Sequence, residues 1–387
     1  MGPMRTTESF HKADITRKKV ADVLAGRGIF HETPELKAAY EKSTEDYRKK
    51  LTEGFAEQFR FTGIAGRSYR STQFTNRRVI HDIAPKEIPA FAERTDSELF
   101  GAVRGQASDG DTTGEVPIRS VLRVFDLHNH DFLWVNSQDL TAYEYDLTLR
   151  DKLVLPADHR ELLDILTTDI ATFTGDIIEG KSAGNVILCK GVPGVGKTLT
   201  SEVYSELIKR PLYSIHSGTL GITADTVRKN LEEVFDRAKR WNAVIALDEC
   251  DVFVRARGND IQQNAIVAEF LRTLEYTSAL IIMTTNRSDD IDDAIISRCA
   301  AIIDYTLPDA TDAARIWDVL GKNSGVDLGR PLIDGLVAGF PEIAPRDMKM
   351  LLRLALRVSE HKSEPLSTDL FRRCAMFRGL HFQGDAA

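Results

Sequence analysis

Gly191-Val192-Pro193-Gly194-Val195-Gly196-Lys197-Thr198 is the stretch on which the fold turns. It matches G-x-x-x-x-G-K-[ST], a pattern whose glycines let successive backbone N–H groups curl around a phosphate chain. The pattern carries weight only between a strand and a helix, and both flanks supply them. Asn185 to Cys189 is a short apolar run that reads as a buried strand. From Leu199 to Lys209, the residues Glu202, Val203, Glu206 and Leu207 recur at helical spacing, and a helix N-terminus adds partial positive charge where an anion would sit. Lys197 is therefore expected to reach the β- and γ-phosphates of a nucleotide and Thr198 to ligate Mg²⁺, with Leu199 bordering the same site.

Outward from this loop, residues 184 to 307 alternate short apolar runs with longer helical patterns, which predicts a parallel α/β sheet covered on both faces. The expected strands are Asn185 to Cys189, Leu212 to Ile215, Ala243 to Leu247, Ala279 to Thr284 and Ala301 to Tyr305. Helices are expected at Lys197 to Lys209, Asp225 to Arg240, Gln262 to Tyr276 and Asp292 to Cys299. After Pro308 the strand pattern stops. Four helices follow, Thr311 to Leu320, Pro331 to Ala338, Pro345 to Glu360 and Ser367 to Phe377, two of them with proline in the first turn. Before residue 184, Pro34 to Gln58 reads as a charged helix, Val121 to Leu127 and Asp131 to Val135 as strands, and Ala157 to Phe173 as a helix. Gly105 to Gly114 reads as a mobile loop.

Two further acids and two polar residues complete a constellation. Val244-Ile245-Ala246-Leu247-Asp248-Glu249 is an apolar strand ending in two carboxylates, about fifty residues past the phosphate loop. Asp248 would hold the metal, and Glu249, one step on, would polarise a water for attack on the γ-phosphate. Leu280 to Arg287 is another buried strand that ends at Asn286, placed to orient that water. Twelve residues later Arg298 closes a short helix. In this order the set resembles the AAA+ ATPases over about residues 150 to 380. Gly191 to Thr198 resembles their Walker A, Leu247 to Glu249 their Walker B, Asn286 their sensor 1, Arg298 their arginine finger and Arg346 their sensor 2 arginine.

The resemblance implies a P-loop NTPase core with a parallel five-stranded sheet in the order 5-1-4-3-2 and a C-terminal helical lid. The domains would be an α+β substrate or adaptor region at 1–150, the α/β nucleotide-binding domain at 151–308 and the lid at 309–387. It also implies ATP and Mg²⁺ as ligands, a homo-hexameric ring, and an Arg298 that acts on a neighbour's nucleotide. The chain departs from the family twice. Its segment Ser217 to Ile222, where threading members carry an aromatic pore residue, has only Leu220 and Ile222 to grip a chain, and it has one arginine at the finger position where many members have two. The expected function is ATP-driven remodelling or disassembly of a protein complex recognised through residues 1–150. A nucleic-acid-dependent ATPase and a nucleotide-gated scaffold are the alternatives.

Composition narrows the setting. Four cysteines, Cys189, Cys250, Cys299 and Cys374, stand far apart without CxxC spacing, as in a cytoplasmic protein rather than a disulfide framework or zinc ribbon. No apolar stretch has the length of a membrane span, and no secretory or organellar signal is expected. The net charge of −8 gives no global case for nucleic acid, but residues 1–90 carry a net +5. Arg60 to Arg78 holds five arginines, interleaved with Phe61, Tyr69 and Phe74 and without an acid, so it reads as an arginine-rich loop facing protein or nucleic acid. Asp289, Asp290, Asp292 and Asp293 are expected to cap the short helix, His128 and His130 to lie in a turn, and Cys250 to be a core residue.

Overall fold

A computed structural model of the chain describes residues 18–25, 33–67, 70–83, 120–168, 186–275, 277 and 279–383. Gly105 to Gly114 and Tyr69 lie outside the described residues. The polypeptide divides into two units, Met1–Tyr143 and Glu144–Ala387.

In the first unit, helices α1 (Val20–Ala25) and α2 (Pro34–Glu53) precede strands β1 (Gln58–Arg67), β2 (Arg70–His81), β3 (Val121–Asp126), β4 (Asp131–Asn136) and β5 (Leu140–Ala142). Thr33 caps α2 by accepting the Leu36 N–H, and the helix stops at Glu53 before Gly54, short of the expected Gln58. The arginine-rich stretch is a correction to the sequence reading: it is the antiparallel β1–β2 hairpin, with Arg60 opposite Arg78. The sheet runs β2-β3-β4-β1-β5 and β1 also pairs with β2, so four strands close into a small barrel with β5 added on β1. Strand alternation drives this closure. Phe59, Phe61 and Ala65 of β1 are buried with Leu122, Val124, Leu133 and Val135, while Tyr47 and Leu51 of α2 pack against the cluster. His128 and His130 lie in the β3–β4 turn, where His130 has φ +56°. Among the described residues no group of three or more His, Cys, Asp or Glu could hold a metal.

The second unit opens with α3 (Leu149–Lys152) and α4 (Ala157–Thr168), and continues through β6 (Val186–Gly191), α5 (Lys197–Leu207), β7 (Leu212–His216) and α6 (Ala224–Trp241). Then come β8 (Val244–Asp248), α7 (Asp251–Val254), α8 (Ile261–Leu274), β9 (Ile281–Thr285), α9 (Asp293–Ile296) and β10 (Ala301–Tyr305). All pairings in this sheet are parallel and the order is β10-β6-β9-β8-β7. Counted from β6 as the first strand, that is 5-1-4-3-2. Helices cover both faces of such a sheet, which is why its strands are apolar throughout; all five residues of β9 are buried. On α6, Val227, Leu231, Val234, Phe235, Ala238 and Trp241 form the buried stripe, opened by a Thr223–Thr226 capping box and closed by Asn242 in the left-handed region.

Four helices complete the unit: α10 (Ala310–Asn323), α11 (Arg330–Gly339), α12 (Pro345–Lys362) and α13 (Thr368–Met376). They share a core built around Trp317, Leu336, Met348, Leu351 and Phe371, with the Trp317 and Phe371 rings edge to face. Among the described residues no helix is long and apolar enough to cross a membrane.

Candidate nucleotide site

The phosphate loop leaves the C-terminal end of β6, the end at which open α/β sheets bind ligands. Its glycines take the conformations that this requires: Gly191, Gly194 and Gly196 have φ of +140°, +84° and +106°. A Cβ on Gly191 would lie 2.0 Å from the Tyr305 carbonyl oxygen, so β10 tolerates no side chain there. Gly196 caps α5, and Lys197 is its first helical residue. Val195 turns inward against the sheet core.

The loop after β6, the ends of β8 and β9, and the first turns of α5 and α12 converge on a cleft of about 220 Å³. That is smaller than the roughly 300–1,000 Å³ of a whole small-molecule site and suits the phosphate end of a nucleotide. Pro193, Gly194, Gly196, Lys197, Thr198 and Leu199 line one side, and Asp248, Glu249, Thr284, Asn286 and Arg346 the other. The Lys197 ammonium donates to the Gly191 and Val192 carbonyls, both at 2.7 Å, and to Asn286 Oδ1 at 3.0 Å. Burial pulls its pKa below the usual lysine range, while Asp251 and Asp248 act to raise it. Loop carbonyls are weak partners for a cation, and an anion in the cleft would compete for it.

Asp248 ends β8 and Glu249 follows it, as expected, and two residues the sequence reading did not single out order this part of the site, one holding the acids and the other the end of β9. Thr198 donates its hydroxyl to Asp248 Oδ1 at 2.9 Å. The Thr284 hydroxyl donates to the same carboxylate oxygen and accepts the Glu249 N–H at 3.2 Å, so one side chain of β9 ties both acids of β8. Glu249 is exposed and its φ of +55° lies in the left-handed region, a costly conformation that in folded proteins clusters at working sites. The second missed residue is Asp251, whose Oδ1 accepts from the Thr285 hydroxyl and the Asn286 N–H. The signal for both was available: a hydroxyl residue two before Asn286, and an acid two after Glu249.

Arg346, in the first turn of α12, meets the loop through its backbone: its N–H donates to the Gly194 carbonyl at 3.0 Å. Arg298 does not line its own chain's cleft. It is held by the Glu275 carboxylate and donates to the Ala294 carbonyl at 2.9 Å, while its Nε is buried without a partner among the described residues. Asp292 caps α9 and binds Arg257 at 2.8 Å, and Asp290 pairs with Arg287, so these acids serve the local fold. Cys250 is a core residue that donates to the Leu247 carbonyl, and burial pushes its thiol up. Burial likewise pushes Cys189 up to about 12. The Ser217–Ile222 segment is a partial correction. Leu220 is 1% exposed and cannot grip a substrate, whereas Ile222 is 87% exposed.

Residues 187–307 match the family model described as "ATPase family associated with various cellular activities (AAA)". The chain is 29% identical over 154 residues to the ATP-dependent zinc metalloprotease FtsH of Ureaplasma parvum, covering 36% of this chain and 21% of that one. It is 28% identical over 234 residues to human fidgetin-like protein 1, covering 57% and 32%, and 29% identical over 118 residues to human ATPase family gene 2 protein homolog B, covering 28% and 16%. The chain therefore spans a third or less of the length of each of these relatives.

Proposed function

With an AAA-family ATPase domain at residues 187–307 as its premise, we propose that this chain binds ATP with Mg²⁺, hydrolyses it as a ring-shaped homo-oligomer, and uses the energy to remodel a protein complex. The observation that carries the reading is the meeting of Lys197, Thr198, Asp248, Glu249 and Asn286 at the ends of three adjacent strands. The cradle fits the ligand. Positive-φ glycines leave backbone N–H groups open to phosphate, and the Thr198 and Asp248 oxygens, 2.9 Å apart, converge where a hard cation takes oxygen ligands.

Lys197 leaves the loop carbonyls to pair with the β- and γ-phosphates, and Thr198 with Asp248 holds the cation. Held by Thr198 and Asp248, Mg²⁺ would supply charge neutralisation for the phosphates during transfer. Glu249 accepts the proton of the attacking water, and the Asn286 carboxamide orients that water. Arg298 stabilises the transferred phosphoryl group in a neighbouring chain's site. Arg346 reports nucleotide state to the helical lid, a reading favoured by the contact between its backbone and Gly194. Six chains in a ring would place each Arg298 at the next cleft. Ile222 is the candidate contact for an extended protein substrate, with residues 1–150 as its recognition region. The reducing cytoplasm suits Cys189 and Cys250, free and buried.

A nucleic-acid-dependent ATPase is the second reading, because the β1–β2 hairpin carries Arg60, Arg77 and Arg78 with no acidic residue between Arg60 and Arg78 in the sequence. Steady-state ATP turnover with Mg²⁺, measured alone and with single-stranded DNA, duplex DNA or RNA, separates the two. The expected result is Mg²⁺-dependent turnover that ignores nucleic acid. Strong stimulation that disappears in Arg60→Glu and Arg78→Glu would put nucleic acid in place of protein as the partner.

A further inference from the structure

Helix α7 begins two residues after Glu249, and its first residue gathers the end of β9. Asp251 Oδ1 accepts the Thr285 hydroxyl at 2.6 Å and the Asn286 N–H at 3.0 Å. Its main-chain carbonyl accepts Arg287 Nε at 3.1 Å, so three consecutive residues are fixed on one aspartate. Asn286 lies beyond the last paired residue of β9, where Lys190 is opposite Thr285, so no strand ladder holds its backbone. The carboxamide of the same residue accepts Lys197 Nζ. Asp251 does not line the cleft and Asn286 does.

We infer that Asp251 is a positioning residue for hydrolysis: by clamping the Thr285 hydroxyl and the Asn286 backbone it sets where the Asn286 carboxamide stands between Lys197 and Glu249. The inference rests on the ATPase reading above. A charged acceptor makes the clamp strong, since hydrogen bonds to an ionised carboxylate are about twice as strong as neutral ones. Its loss lets the strand end drift, and a misplacement of about 1 Å can cost on the order of 10²-fold in rate.

The test compares Asp251→Ala, which removes the acceptor, with Asp251→Asn, which keeps Oδ1. In the full-length chain at saturating protein concentration, Asp251→Ala is expected to lower kcat about 10- to 100-fold with KM for ATP within about threefold, and Asp251→Asn to restore most of it. Without nucleotide, hydrogen exchange at the Asn286 amide should speed up in Asp251→Ala and stay near wild type in Asp251→Asn. Adding Asp251→Ala to Asn286→Ala should slow turnover no further, because the two act as a unit. Wild-type kcat in Asp251→Ala beside a slow Asn286→Ala would overturn the inference, as would equal slowing by Ala and Asn with unchanged exchange. Wild-type kcat in Asn286→Ala would instead remove the role given to Asn286 itself. Should Asp251→Ala not fold, Thr285→Val removes one donor and keeps the shape, and its kcat should fall several-fold; an unchanged value overturns the inference.

Discussion

Glu249→Gln is expected to bind ATP within about threefold of wild-type affinity and to hydrolyse it roughly 10²- to 10⁴-fold more slowly, the usual contribution of a general base. Gln has the same size and can occupy the same backbone position, because the Glu249 N–H, not its side chain, makes the bond to Thr284. Neither Lys197 nor Thr198 depends on the Glu249 carboxylate for its hydrogen bonds. What Gln lacks is a site to take the water's proton. Titration with a fluorescent ATP analogue, followed by phosphate release under single-turnover conditions, separates the two steps. Normal turnover would remove Glu249 as the base; affinity and turnover falling together would assign it to binding.

Arg298→Ala should lower turnover about 10³- to 10⁵-fold while leaving ATP binding to a single chain unchanged. The magnitude decides between two roles. Within its own chain Arg298 pairs with Glu275, both side chains being about a third exposed. Such a pair contributes at most about 1 kcal/mol to stability. A 10³-fold loss corresponds to about 4 kcal/mol of barrier, which the lost ion pair alone does not supply. If Arg298 only ties α9 to α8, its removal should lower the melting temperature by a few degrees and leave turnover per folded chain intact. If it completes a neighbour's site, the order reverses, and wild-type turnover per chain should rise with protein concentration.

The parts of the fold that were legible in the sequence are those fixed by local pattern. The five apolar runs from Asn185 to Tyr305 emerge as the strands β6 to β10 within one to two residues at their ends, because strands buried on both faces need continuous apolar sequence. The C-terminal helices follow as well, since Pro331 and Pro345 mark where two of them start. The barrel of the first unit was hidden for a physical reason. In β1 the inward Phe59, Phe61 and Ala65 alternate with Arg60, Thr62 and Ile64, but Gly63 and Gly66 weaken the strand signal and the register shifts after Phe61. Its closure depends on β3 and β4, which lie 40 or more residues away along the chain. Short β5, three residues long, carries almost no pattern of its own.

The site divides in the same way. Lys197, Thr198, Asp248, Glu249 and Asn286 were legible because each follows directly from a strand end or a glycine loop. Thr284 and Asp251 were not, because their importance lies in pairing across strands: Thr284 meets Asp248 over the β8–β9 ladder, and Asp251 meets Asn286 over the same gap. Leu220 misled because exposure was inferred from its loop position. The short 3₁₀ turn at Ser217–Leu220 folds it inward, and Asn230 donates to its carbonyl at 3.1 Å.

The most direct measurement mixes two inactive variants. With a site shared between chains, Glu249→Gln lacks the base but still offers Arg298, while Arg298→Ala keeps Glu249 but lacks the arginine. Titrating one against the other and following ATP turnover should restore activity well above the sum of the separate rates, as mixed assemblies form sites with Glu249 from one chain and Arg298 from its neighbour. Turnover that stays at that sum across all ratios, with mixed assembly confirmed by co-purification of differently tagged chains, would contradict a site completed in this way.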